Sequence, residues 1–327
     1  MYSIDMDKPK QIVASILEKN TIENVCFVGC GASQSELYPA SYFLQDASKK
    51  LRVAHYTASE FNYNTPDWLG KTTVVISASL GGGTPETVQA IAVAKAAGAV
   101  VVSLTHAENS ALAKDADYCI IHGFEANYAA KQEKMGYCLA LALEILQQVE
   151  GYGKYQQMLD GFSKIFDLAD KSANIARTAA KEFAQAYKDA PVIHVMSSGA
   201  STMVAYSISM FLMMEMQWIH SSSYHCGEFF HGPFELVEKD VPYILLMNDG
   251  KTRPVDARAL TFLQRFDAKV TVVDAKDYGL GSVISSDVAT YFNPMVLNAV
   301  FRVYAEELSF ARQHPLTKRR YMWKLEY

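Results

Sequence analysis

The densest cluster of ionisable side chains lies between Glu215 and Glu235, where the chain reads EMQWIHSSSYHCGEFFHGPFE. Glu215 falls inside an apolar, helix-like run, Phe211-Leu-Met-Met-Glu-Met-Gln-Trp218. A carboxylate in such a run is costly unless it is paired or protonated. Desolvation raises its pKa toward the range a general base needs at neutral pH. The plainer alternative is a glutamate held in a structural hydrogen-bond network. His231, beside Gly232-Pro233, sits on or near a turn and offers a second acid–base group. Its own alternative is a capping or surface histidine. His220, His225 and His231 invite a metal-site reading, but their spacings of five and six put no neighbouring pair on one helical face. No metal ligand set is assigned.

A second set of residues fits anion binding. Gly29-Cys-Gly-Ala-Ser33, with Ser35 just beyond, follows a run of β-formers at Asn24–Val28 and opens a helix-like stretch that reaches Leu51. Ser79-Leu-Gly-Gly-Gly-Thr84 stands in the same relation to Thr73–Ser77, with Thr84 expected as N-cap and Pro85 at the first helical position. In that context backbone N–H groups and the helix dipole favour phosphate. The candidate phosphate ligands are Gly31, Ser33, Ser35, Ser79, Gly81, Gly82 and Thr84. Either loop alone is equally well a tight turn with a cap. Two of them at neighbouring strand ends of one sheet favour a ligand.

The elements that must position these groups alternate. After the first two strands come a helix at Thr84–Ala97, a strand at Ala99–Leu104, a short helix at Ala111–Ala116 and a strand at Tyr118–His122. Continuous β-branched runs between helices predict a parallel sheet covered on both faces. The second half repeats the plan. Gly31-Ala32-Ser33 recurs as Gly199-Ala200-Ser201, and Gly82 and Thr84 recur as Gly250 and Thr252, all 168 positions on. The expected fold class is therefore α/β, with two duplicated doubly wound domains. Residues 1–150 form the phosphate-binding domain, 151–190 a helical linker, 191–311 the domain with the acid–base residues, and 312–327 a C-terminal tail entering the active site. The second copy places Asp249 where the first has its glycine loop, so the duplicate is expected to keep the fold and lose the anion.

Composition narrows the function classes. The chain has 327 residues, 50% apolar and 20% charged, enough for two cores and unlike a disordered segment. A formal net charge of -5 argues against a nucleic-acid binder. The five cysteines are scattered, with no CxxC pair, which reads as reduced thiols and a cytoplasmic protein. The start carries acids and no signal-peptide pattern. The greasiest segment, Ile208–Met216, is broken by Glu215 and too short to span a bilayer, so no membrane partner is expected.

These residues resemble the sugar isomerase (SIS) domain family, whose two phosphate-binding segments look like Gly29–Ser33 and Ser79–Thr84. Glu215 and His231 stand at the spacing seen in the isomerase half of glucosamine-6-phosphate synthase. The resemblance implies that Glu215 moves a proton between sugar C1 and C2. It implies that His231 opens the sugar ring from a neighbouring subunit, and that Lys324 contacts the open-chain sugar. Met214–His220, Gly227–Glu235 and the stretch from His314 to Lys324 are similar to the fructosamine-6-phosphate deglycases, which include fructoselysine and fructose-asparagine enzymes. The implied activity cleaves a fructosamine 6-phosphate to glucose 6-phosphate and an amino acid, with no cofactor, in a homodimer or larger assembly with shared sites. An aldose–ketose isomerase, an aminosugar-phosphate isomerase or deaminase, and a non-catalytic sugar-phosphate module are the alternatives. Three departures stand out: Gly81 replaces a serine of the second phosphate segment, Leu212 replaces a lysine, and no glutaminase domain is expected.

Overall fold

The computed structural model describes residues 2–326. Its contacts divide the chain into two compact units, Met1–Asp167 and Leu168–Tyr327. The division falls inside the helix Tyr155–Ile175, and a second helix, Arg177–Tyr187, follows it. The stretch expected as a linker is thus largely helical, and the two units share it.

The first unit is built on five parallel strands, β1 (Asn24–Gly29), β2 (Arg52–Thr57), β3 (Thr73–Ala78), β4 (Val100–Thr105) and β5 (Tyr118–Ile121), in the order β2-β1-β3-β4-β5. Strands β1 and β3 are buried along their whole length, which is why they read as unbroken apolar runs. On one face Cys26, Val28, Val75 and Val101 pack with Phe61, Ala90, Ile91 and Ala94. On the other, the helices Gly31–Ala47 and Glu133–Val149 lie together and bury Leu37, Phe43, Leu139 and Leu143. Each large apolar side chain so buried contributes about 1.5–3 kcal/mol relative to exposure.

The second unit repeats this frame with β6 (Val192–Ser197), β7 (His220–His225), β8 (Pro242–Met247) and β9 (Lys269–Asp274), all parallel, in the order β7-β6-β8-β9. Strands β6 and β7 begin 168 positions after β1 and β2, and β8 and β9 begin 169 after β3 and β4. Backbone conformation repeats too. Gly31 and Gly199 take φ of 59° and 57°, left-handed values at the turn from strand to helix that favour glycine.

Strands β2 and β7 escaped the sequence reading. The helix after β1 ends at Ala47 rather than Leu51, and β2 begins five residues later. Both are edge strands, partly exposed and polar (Arg52–Thr57 reads RVAHYT, His220–His225 reads HSSSYH), so neither carries a buried run. Among the described residues no helix is long and apolar enough to cross a membrane.

Candidate active site

In the order β2-β1-β3 the winding reverses between β1 and β3, so the loops after these two strands flank one crevice at the carboxyl edge of the sheet. Both glycine loops lie there. The helix Gly31–Ala47 starts with Gly31 and Ala32 exposed and with no side chain capping its first turn. The hydroxyls of Ser79 and Thr84 are 2.9 Å apart. Thr84 occupies the N-cap position of the helix Pro85–Ala96, but its side chain bonds Ser79 and does not cap the helix. Ser35 departs from expectation. It is buried, and its hydroxyl donates to the Gly31 carbonyl at 3.3 Å, so it is satisfied inside the helix.

The glycines of the second loop differ in kind. At Gly82, with φ 64°, an added Cβ would stand 2.0 Å from Ser110 Oγ, whereas at Gly81 nothing lies within 4 Å. Gly82→Ala is therefore expected to destabilise the protein by about 1–3 kcal/mol. Gly81→Ser should fold with an unchanged melting temperature and bind a sugar phosphate a few-fold more tightly, by restoring one hydroxyl (roughly 1 kcal/mol). Thermal unfolding and calorimetric titration with glucose 6-phosphate check both.

One group beside these loops has contacts that the sequence alone does not assign. Lys134, in the helix Glu133–Val149, is 5% exposed. Its Nζ donates to Ser33 Oγ at 2.9 Å and pairs with Glu36 at 2.6 Å. The contact spans 101 residues of sequence, beyond any local motif.

The corresponding crevice of the second unit is filled by its own side chains. The Asn248 amide donates to Ser197 Oγ, the Ser198 carbonyl and Asp256 Oδ2, at 3.3, 3.0 and 2.9 Å. Asn293 bonds both the N–H and the carbonyl of Asp249, and Thr252 fills the space in which a Cβ on Gly199 would stand.

What the second unit offers instead is an open cleft of about 670 Å³ around Glu215, lined also by Met214, Trp218, His220, Arg319 and Tyr321. Glu215 lies near the end of a π-helical stretch, Ile208–Met216, a wide winding that recurs at functional sites. Trp218 then turns the chain with φ of 55°, a left-handed conformation costing a bulky residue about 1–2 kcal/mol. Arg319 Nη2 lies 2.6 Å from Glu215 Oε1, with side chains 8% and 20% exposed. Burial pushes the Glu215 carboxyl above its ordinary pKa, and the Arg319 charge and hydrogen bond offset part of that rise. The result is a carboxylate that meets solvent and carries a raised proton affinity.

The tail that delivers Arg319 is wrapped on Trp218. Lys318 and Arg320 stand over its ring at 5.0 and 4.4 Å, and His314 packs edge-on at 4.5 Å. Gln217 Nε2 donates to the His314 carbonyl at 2.9 Å. The Arg319 guanidinium is fixed further by the carbonyls of Leu316 and Lys318, at 2.7 and 2.9 Å. Lys324, expected to reach the sugar, is exposed and outside the cleft lining, and its Nζ donates to the Arg319 carbonyl at 2.7 Å. The tail residue at the carboxylate is Arg319. His231 is exposed at the end of the short turn Glu228–His231 and is not part of this lining. Among the described residues no group of three or more His, Cys, Asp or Glu is placed to hold a metal ion.

Comparison with known proteins bears on this arrangement. Residues 20–138 match the model of the SIS domain. The chain is 40% identical over 311 residues to the fructosamine deglycase FrlB of Bacillus subtilis (strain 168), covering 95% of this chain and 94% of that protein. It is 23% identical over 313 residues to the fructoselysine 6-phosphate deglycase of Escherichia coli (strain K12), covering 95% and 89%. A crystal structure from Salmonella typhimurium LT2, solved as a candidate phosphosugar isomerase, superposes with a TM-score of 0.96 at 41% identity, covering 100% and 99% of the two chains.

Proposed function

The chain belongs to the SIS domain family and, within it, to the fructosamine deglycases, and on that premise we propose that it cleaves a fructosamine 6-phosphate to glucose 6-phosphate and a free amino acid. The observation that carries the reading is Glu215, a half-buried carboxylate with a raised pKa that faces an open cleft. A base in that position removes a proton from C1 of the open-chain substrate to give an enaminol. The same carboxyl then returns a proton at C2. The product is an imine between C1 of glucose 6-phosphate and the amino acid. Water adds across the C=N bond, the C–N bond breaks, and the amine leaves with its proton.

In this reading the phosphate is held at the first unit by Gly31, Ser33, Ser79, Gly81, Gly82 and Thr84. Phosphate binding, remote from C1, contributes orientation to the reaction. His231 supplies the proton transfer that opens the ring. Its exposure, away from the lining of the Glu215 cleft, supports its serving a second copy of the chain. We therefore take the protein as at least a homodimer, working in the cytoplasm. Lys324 acts here by holding the turn that presents Arg319.

The test is to incubate the purified protein with several fructosamine 6-phosphates and assay glucose 6-phosphate and free amino acid. Equal release of both is expected. Interconversion of fructose 6-phosphate and glucose 6-phosphate without amine release would replace this reading with that of an isomerase. Binding without turnover would make the protein a sugar-phosphate module.

A further inference from the structure

The proton transfers assigned to Glu215 and His231 make no use of Lys134, yet this buried cation stands against the first glycine loop. Its Nζ is 2.6 Å from Glu36 Oε2 and 2.9 Å from Ser33 Oγ. An ammonium group has only hydrogens to offer, so Ser33 Oγ is the acceptor in that contact. The hydroxyl's own proton is then left for a different acceptor. Ser33 belongs to the uncapped first turn of the helix Gly31–Ala47, whose first two residues are exposed at the β1/β3 crevice.

A second buried group in the same unit points the same way. His122, which follows β5, is 3% exposed. Its Nδ1 lies 2.7 Å from the Gly123 carbonyl, which only accepts, so Nδ1 carries the proton and Nε2 presents a lone pair. Burial, and after it the charge of Lys134, lowers the ring's pKa to about 4 and keeps it neutral. Nε2 is buried without a hydrogen-bond partner among the described residues. The unpartnered Nε2 thus lies within the field of Lys134.

We propose that Lys134 is a positioning residue of the phosphate site. It turns the Ser33 hydroxyl toward the ligand and supplies a compensating positive charge behind the loop, while Glu36 balances that charge when the site is empty. The inference rests on reading the first unit's loops as the phosphate cradle.

Calorimetric titration with inorganic phosphate and with glucose 6-phosphate separates the two claims, because neither titration needs turnover. Lys134→Met combined with Glu36→Gln removes both charges and leaves neither buried alone. It is expected to weaken both ligands by about tenfold to a hundredfold, the range of a hydrogen bond to a charged group. Ser33→Ala should cause a loss of similar size in a helix that keeps its backbone bonds. The triple variant should lose little beyond either, since both changes remove one interaction. Lys134→Arg, which keeps the charge, should restore affinity to within a few-fold.

In steady-state assays the loss should fall on KM, with kcat nearly unchanged. If the wild type binds neither ligand, the cradle reading fails. If it binds both and the Lys134→Met/Glu36→Gln variant binds them equally well, the inference about Lys134 fails and the cradle stands. Additive losses in the triple variant would refute action through Ser33. Should the double variant not fold, an unchanged affinity in Ser33→Ala would overturn the proposal by itself.

Discussion

Glu215→Gln is expected to lower the rate of glucose 6-phosphate release by about 10²–10⁴-fold, the usual contribution of a positioned general base. The substitution is close to isosteric, and the glutamine oxygen can still accept from Arg319 Nη2, which lies 2.6 Å from the native carboxylate. The cleft and the tail should therefore keep their arrangement, and binding of glucose 6-phosphate should stay within a few-fold of wild type. Melting temperature, product binding and single-turnover release of the amino acid together separate lost chemistry from lost structure. A variant that folds, binds and still turns over at close to the native rate would remove Glu215 from the mechanism.

Arg319→Met carries the second large effect. The native guanidinium offsets part of the rise that burial imposes on the Glu215 carboxyl, so its removal lets that pKa climb further. A base must be ionised to act, and the acid limb of the kcat/KM profile should therefore move to higher pH, with activity lost near neutrality. Stability follows with a definite sign. A folded-state pKa above the unfolded value means that Glu215 stabilises the fold below the ordinary carboxylate range, and that this contribution is lost as pH rises through the raised pKa. At pH 7 a half-buried carboxylate without its cation should cost the variant about 1–3 kcal/mol. The two variants thus separate by shape. Glu215→Gln lowers the whole profile, whereas Arg319→Met displaces it, and an unshifted acid limb in Arg319→Met would deny Arg319 any hold on the base.

Much of this frame was legible because it is written in backbone terms. Buried strands such as Val25–Val28 and Val74–Ile76 appear as apolar runs, and the glycines whose φ is positive mark the strand–helix turns. Edge strands were hidden, since Arg52–Thr57 and His220–His225 have no second buried face to encode. The candidate site was legible only where one residue announces a conflict by itself, as Glu215 does in its apolar run. Ion pairs are different in kind. Lys134 with Glu36 and Arg319 with Glu215 join side chains about a hundred positions apart, and neither partner alone tells which charge will cover it. For the same reason the tail's role fell to Lys324 in the sequence reading, although the folded tail places Arg319 at the carboxylate and leaves Lys324 holding a backbone turn.

The constant spacing of the two copies has an evolutionary consequence. From β6 through β7 the offset stays at 168, so the second copy spends the same number of residues between its first two strands as the first copy does. It winds them differently, ending in the π-helical stretch that bears Glu215. At that offset the counterpart of Glu215 is Ala47, the last residue of the helix Gly31–Ala47. No insertion was required to seat the carboxylate. Once the ancestral frame had doubled, this segment was free to diverge by substitution alone, and one copy carries a methyl group at the position where the other carries a carboxylate.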